Sequence, residues 1–245
     1  ETLLAMFREP FLLDDDLPLT VSASIGAVHT VGIAWRASEA LQHAMIALGR
    51  AKRQTRGEFV EYTDTMAVDS RIRLSLLHEL RMAMRQKKMA LYFQPQVELA
   101  SGRVVGAEAL LRWRRDDGSF VPPDQFIPLA ERSGLIVELG EWVVIEACRQ
   151  LLEWSYAGLG ELRMAINVSM PQFRAGLFAP RLRRLIDQYG VAAHTLEVEI
   201  TESMVMQDVD STIRTLGALR DVGVGIAIDD FGTGFSSLNL LRSLP

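Results

Sequence analysis

A single cysteine, Cys148, occurs among 245 residues, which excludes an intrachain disulfide and any cysteine-based zinc site. It sits in Val143-Val144-Ile145-Glu146-Ala147-Cys148, apolar but for Glu146, and reads as a buried small hydrophobe. The four histidines, His29, His43, His78 and His194, are scattered without ligand spacing. No apolar run approaches the roughly 18 residues needed to span a bilayer. The chain opens Glu1-Thr2-Leu3-Leu4, with no initiating Met, basic leader or small-residue cleavage site. That opening reads as a cut inside a longer protein and leaves an upstream membrane or sensory segment open. Positive charge is also in short supply. Lys and Arg number 26 against 31 Asp and Glu, a net charge of −5, which argues against polymeric nucleic acid as a partner. A small phosphorylated ligand needs only a few local cations and stays possible.

What is present is an ordinary globular composition, 49% apolar and 23% charged. Its length fits one large domain or two smaller ones. Residues 1–64 show a compact α/β pattern. A helix tail ends near Glu9-Pro10, and Asp14-Asp15-Asp16 marks a turn. Leu19–Gly26 alternates as one half-buried strand. Ser38 is placed to cap a helix whose stripe is Ala37, Ala40, Leu41, Ala44, Met45 and Leu48. Glu58–Tyr62 reads as a short closing strand. Residues 65–88 form one amphipathic connector helix without Gly or Pro, its stripe being Ile72, Leu76, Leu77, Leu80 and Met84. From residue 89 to 245, strand candidates recur at Leu91–Phe93, Val104–Leu110, Leu162–Val168, Leu196–Ile200 and Val224–Ile228. Helical patterns at Val137–Trp154, Phe178–Tyr189 and Ser211–Val222 lie between them, and the segment around Asp116–Pro123 predicts a small hairpin. Alternating strands and helices imply a parallel sheet buried on both faces, open or closed into a barrel.

Four successive strand ends carry polar groups: Glu108, Asn167, Glu199 and the pair Asp229-Asp230. Asn167 and Glu199 are 32 residues apart, and Glu199 and Asp229 are 30 apart. Each interval is one strand-plus-helix unit, so the side chains are expected around one barrel mouth, where catalysis is usually housed. Adjacent aspartates repel each other unless a cation lies near them. Oxygen ligands without Cys or His suit Mg²⁺ or Mn²⁺, and several carboxylates can hold two such ions. The plainer alternative is a set of helix caps and solvated loop acids.

Gly106-Ala107-Glu108-Ala109-Leu110-Leu111-Arg112-Trp113 resembles the signature of EAL domains, the cyclic di-GMP phosphodiesterases. The resemblance continues through Phe93-Gln94-Pro95, Phe126–Glu131, Asn167-Val168-Ser169, Glu199–Ser203 and Asp229–Gly234. It implies a TIM-like (β/α)8 barrel, present here through about its fifth strand. It also implies hydrolysis of cyclic di-GMP to linear pGpG with Mg²⁺ or Mn²⁺, two ions being expected. By the same resemblance Glu108, Asn167, Glu199, Asp229 and Asp230 are metal ligands, and Gln94 and Arg112 meet the substrate. Glu202, counted with Glu108, Asp229 and Asp230 among the catalytic residues, braces the loop after the fifth strand. That loop, Phe231–Leu238, resembles the family's mobile segment that links dimerisation to metal binding, so a homodimer is expected through it. Trp113 is assigned to core packing.

Val21–Gly26 and Ala44–Arg56 resemble the C-terminal third of a GGDEF (diguanylate cyclase) domain, a nucleotidyl-cyclase-like α/β fold. Lys52 and Arg56 match positions that contact nucleotide phosphates, while Met45 and Gly49 stand where that family has Asp and Tyr. The resemblance places the family's catalytic Lys, a further metal Glu and a Gln on strands beyond Pro245, and no lysine follows Lys88, so none of the three is assigned here. The resemblance therefore implies a cytoplasm-facing signalling protein of GGDEF–EAL type. The 245-residue piece alone is expected to be inactive and poorly soluble. Two other readings stay open: an EAL receptor that binds cyclic di-GMP without cutting it, and a bifunctional cyclase–phosphodiesterase.

Overall fold

The computed structural model describes residues 2–7, 9–12, 18–31, 36–54, 57–174, 176–207, 209–230 and 232. Its contacts divide the chain into two units, Glu1–Leu76 and Leu77–Pro245. Among the described residues no helix is long and apolar enough to cross a membrane.

In the first unit, α1 (Thr2–Ala5) is followed by β1 (Phe11–Leu12) and β2 (Pro18–Leu19), which pair antiparallel. Then come β3 (Ile25–Ala27), α2 (Ala37–Gln54) and β4 (Phe59–Glu61), with β3 and β4 parallel. The single strand expected over Leu19–Gly26 is two short pieces, because Thr20–Ser24 has no ladder partner among the described residues. Gly26 sets the packing distance: a Cβ there would lie 2.0 Å from the Leu48 amide nitrogen of α2. So close an approach rotates α2 onto its small residues. Ala47 and Ala51 are fully buried, whereas Leu41 and Met45, expected on the buried stripe, are each 64% exposed. Ser38 lies inside α2 and is not its cap; the Glu39 carboxylate instead accepts the Arg36 N–H at 3.0 Å. The expected turn at Asp14-Asp15-Asp16 lies outside the described residues.

The connector is α3 (Asp64–Arg85), and the boundary between the units falls within it. Leu76, Leu80 and Ala83 are buried, but Ile72, expected on the same stripe, is exposed.

The second unit runs β5 (Met89–Val97), β6 (Val104–Arg114), β7 (Phe120–Val121), α4 (Pro123–Ser133), α5 (Leu135–Tyr156), β8 (Arg163–Asn167), α6 (Met170–Arg174) and α7 (Phe178–Tyr189). A 3-10 turn (Ala193–Thr195) then leads to β9 (Leu196–Thr201), α8 (Glu202–Gln207), α9 (Val209–Val222) and β10 (Gly225–Asp229). Among the described residues the strand order is β10-β9-β8-β6-β5, with β7 also paired to β6 in the expected hairpin. The steps from β6 through β10 are parallel, but β5 and β6 are antiparallel, which corrects the expectation of a wholly parallel sheet. Only Glu98–Arg103 separates β5 from β6, and Glu98 and Arg103 close a tight turn. A parallel crossover needs a dozen residues or more.

One face of this sheet packs on the helices. Leu91 and Phe93 of β5, Ala109 and Leu111 of β6, Met164 and Ile166 of β8, Leu196, Val198 and Ile200 of β9, and Ile226 and Ile228 of β10 all join one apolar cluster. Leu182, Leu185 and Ile186 of α7 close over it, with Val144, Ala147 and Cys148 of α5. Burial pushes the Cys148 thiol up to about 11, so it is an inert packing group. Trp113 is 1% exposed and meets Phe126 edge-on, as a core residue does.

Candidate active site

Strand side chains alternate between faces, so fixing one face on the helices fixes the other. With Phe93, Ala109, Ile166, Val198 and Ile228 on the helical side, the opposite face receives Gln94, Glu108, Asn167, Glu199 and Asp229. Five adjacent strands thus all contribute to one polar face. Gln94 is the register partner of Glu108 across the β5–β6 ladder, and Asn167 pairs with Glu199 across β8–β9. Asp229 lies two positions further along, opposite Thr201.

Glu108 is not at the end of its strand, as the sequence led us to expect. It is the fifth residue of the eleven-residue β6. The parallel partner β8 leaves β6 just after Ala109, and only β5 and the β7 hairpin carry β6 onward. Glu108 therefore stands where the parallel part of the sheet stops.

The side chains engage one another. Asn167 Nδ2 donates to Glu108 Oε1 at 2.7 Å. Burial, then the charges of Glu108, Asp229 and Glu197, push the Glu199 carboxyl up to about 7. A half-buried carboxyl facing other acids marks a place that a cation would stabilise. The Asp230 N–H donates to Asp229 Oδ1 at 2.8 Å, and Asp230 has φ +54°, an uncommon left-handed conformation for a side-chain-bearing residue. Glu202 opens α8 and is 7% exposed; its Oε2 accepts the Gly232 N–H at 2.7 Å, tying α8 to the segment after β10. The rest of the expected loop Phe231–Leu238, apart from Gly232, lies outside the described residues.

Arg112 shares the face of Glu108. Its Nη1 donates to the Leu111 carbonyl at 3.1 Å, and its guanidinium lies 6.0 Å from the centre of the Tyr92 ring. Tyr92 in turn meets Phe120 edge-on. A cavity of about 610 Å³ opens beside these groups and includes Leu110, Arg112, Glu131, Asn167, Thr201 and Ser203 in its lining. That volume is in the range of small-molecule sites, roughly 300–1,000 Å³. Burial raises the pKa of Glu131 within it.

All the donors in question are oxygens, which fits a hard divalent cation and not zinc or copper. As placed, Glu108 and Asp229 accept hydrogen bonds from neighbouring amides, and among the described residues no group of three or more His, Cys, Asp or Glu side chains stands at cation-holding spacing. Binding a cation would exchange these internal hydrogen bonds for metal contacts. Reading the sequence missed two participants, Ser169 and Gln172, which pin the turn after Asn167. The Ser-x-x-Gln spacing at a helix start was the available signal.

A parallel strand-and-helix unit with polar groups collected at its strand ends defines a class of barrel enzymes and receptors. Comparison with known proteins narrows it: the EAL domain family matches residues 77–245. The chain belongs to that family. It is 37% identical over all 245 residues to the bifunctional diguanylate cyclase/cyclic di-GMP phosphodiesterase MucR of Pseudomonas aeruginosa, covering 36% of that protein. It is also 37% identical over its full length to the cyclic di-GMP phosphodiesterase NbdA of the same organism, covering 31% of it. The chain thus spans about a third of the length of these curated relatives. The solved cyclic di-GMP complex of the PaMucR phosphodiesterase superposes with a TM-score of 0.67 at 43% identity, covering 70% of this chain and 69% of that one.

Proposed function

We propose that the protein is a cyclic di-GMP phosphodiesterase that opens one phosphodiester to give linear pGpG. The observation that carries this reading is the placement of Glu108, Asn167, Glu199 and Asp229 on one face of an EAL-family sheet, where burial and then the neighbouring acids push the Glu199 carboxyl up to about 7. The relatives named for this activity match across the chain's full length. Glu108, Asn167, Glu199, Asp229 and Asp230 would hold a divalent cation, Mg²⁺ or Mn²⁺, and their number is consistent with two. When bound, such ions lower the pKa of water and stabilise charge developing on the phosphoryl oxygens.

The chain's own side chains have separate duties. Arg112, at the cavity edge, is suited to a phosphate oxygen, and Gln94 sits one strand over from Glu108 to orient the ligand. Glu202 is the brace: by holding the Gly232 N–H it keeps the exit from β10, and with it Asp229 and Asp230, in place. The segment from Phe231 to Leu238 would communicate with a second copy of the chain, giving a homodimer.

Residues 1–64 we read as the C-terminal part of a GGDEF domain, 65–88 as the connector and 89–245 as the EAL domain. The alignment of MucR, a bifunctional protein, over the entire chain fits a cyclase part ahead of the EAL part, and the EAL family match begins at residue 77, inside the connector. The MucR alignment also supports a second reading, a protein with both cyclase and phosphodiesterase activity. Lys52 is exposed and Arg56 lies outside the described residues. Met45 and Gly49 depart from the cyclase pattern. Such a protein would work on the cytoplasmic side, with a sensory segment upstream. The deciding experiment is turnover of cyclic di-GMP by the full-length protein with Mg²⁺, beside Glu108→Ala. Loss of pGpG formation in the variant is expected, and full activity in it would refute the ligand assignment. Incubation of the same protein with GTP separates the bifunctional reading.

A further inference from the structure

The turn that follows Asn167 is built around a buried amide. Gln172, in α6, is 6% exposed. Its Oε1 accepts both the Ser169 N–H, at 2.9 Å, and the Ser169 hydroxyl, at 3.0 Å. The Gln172 N–H itself donates to the Ser169 carbonyl at 3.0 Å, so Ser169 is held from three sides. One residue earlier, the Val168 N–H donates to the Glu199 carbonyl at 3.0 Å. The peptide leaving Asn167 is therefore fixed to β9 at residue 168 and to α6 at residue 169.

The other end of the Gln172 amide rests on α5. A Cβ on Gly140 would stand 1.9 Å from Gln172 Nε2 and 2.9 Å from its Cδ. Glycine in the middle of a 22-residue helix weakens the helix relative to alanine. Here its missing side chain is the space in which the Gln172 amide lies. Gly140 thus seats Gln172, Gln172 holds Ser169, and the backbone from Ser169 back through Val168 carries that constraint to Asn167, whose Nδ2 donates to Glu108 Oε1 at 2.7 Å.

The geometry points to Gln172 as a positioning residue that, seated on Gly140, sets the Asn167 amide for cation binding and for its bond to Glu108. The assignment rests on the phosphodiesterase reading above, since it presumes that Asn167 and Glu108 face a divalent ion. A capping box of this form also steadies the start of a helix, and α6 has only five residues. That role alone would leave cation affinity untouched.

The test uses the full-length protein and Mn²⁺ titrated calorimetrically without nucleotide, with thermal unfolding and steady-state turnover measured alongside. Gln172→Met keeps the length of the side chain and removes the acceptor. It is expected to weaken Mn²⁺ binding about tenfold, the usual size for loss of a group that orients a ligand. KM for cyclic di-GMP should stay within about twofold, and saturating Mn²⁺ should restore most of kcat. Gly140→Ala removes no hydrogen-bonding group and improves helix propensity, yet it displaces the Gln172 amide. It should reproduce several-fold of the affinity loss without lowering the melting temperature. This variant also decides the matter if Gln172→Met does not fold. The double variant should bind Mn²⁺ no more weakly than Gln172→Met alone. Unchanged Mn²⁺ affinity in Gly140→Ala and in folded Gln172→Met, with wild type still binding and turning over substrate, overturns the positioning role and spares the phosphodiesterase reading. A wild-type chain that binds no Mn²⁺ overturns both.

Discussion

The two units of this chain solve the same problem, packing helices on strands, with different side chains. Among the described residues of Glu1–Leu76, those at zero exposure are Ala47 and Ala51, while Leu41, Met45 and Phe59 are exposed. In Leu77–Pro245 the fully buried set includes Trp113, Phe126, Leu139, Met164, Leu182 and Ile200. Burial of a large apolar side chain contributes about 1.5–3 kcal/mol, against far less for a methyl group. The second unit is therefore where a rigid platform can be built, and its polar groups are carried on strands whose opposite faces are anchored in that core. The first unit achieves close approach by the absence of side chains, at Gly26 above all.

Substitutions sharpen the contrast. The largest effect is expected from Glu108→Ala, which should lower cyclic di-GMP turnover by about 10³-fold while leaving the melting temperature near wild type. A parallel fall in stability would mean that Glu108 holds the sheet and not the chemistry. Next is Trp113→Ala, which should cost about 3–5 kcal/mol in chemical unfolding of the second unit. A cost below about 1 kcal/mol would show that its core collapses around the gap. In the first unit the comparable weak point is a residue that must not grow. Gly26→Ala should cost about 1–3 kcal/mol by pushing α2 away from β3.

A smaller effect is tied to pH. Because burial and the neighbouring acids raise the Glu199 pKa from 4.5 to about 7, the folded chain holds a proton that the unfolded chain releases. The stability this gives is complete below about pH 4.5 and is lost as pH rises through about 7. In EDTA, wild type should thus lose ground to Glu199→Gln over that window, on the order of 1 kcal/mol once solvent screening is allowed for. Melting curves that stay parallel from pH 4 to 8 would contradict the crowding. Saturating Mg²⁺ should abolish the difference. Smallest of all, Met45→Ser in the first unit should change stability by less than about 0.5 kcal/mol, since Met45 is already in solvent.

The parts legible in the sequence were those where one face alone is buried. Phe178–Tyr189 reads as a helix with the observed bounds because Phe178, Leu182, Leu185 and Ile186 recur on a single side. The polar residues of β8, β9 and β10 were legible because their spacing follows the repeat of strand and helix. The rest depended on contacts that no local pattern carries. The stripe on α2 was misplaced by part of a turn, since alanines at 47 and 51 give a faint apolar signal beside Leu41 and Met45. The reversal of β5 was legible in principle: too few residues separate it from β6 for a crossover. Gln172 was passed over because a glutamine three residues after a serine looks like surface polarity until Gly140, 32 positions earlier, is seen to receive it.

That reversed first strand also bears on how the chain acquires its shape. Gln94 and Glu108 meet across a hairpin and stand only 14 positions apart, whereas Glu108 reaches β8 through a partner at Ala165. Hairpins close in about 1–10 μs, while pairings that enclose long loops come later and more slowly. Glu108 therefore acquires its first neighbour before the helices that will surround it have a sheet to pack on. The parallel strands then add to an edge that already exists, and the side chain that begins the polar face is also among the first to be set.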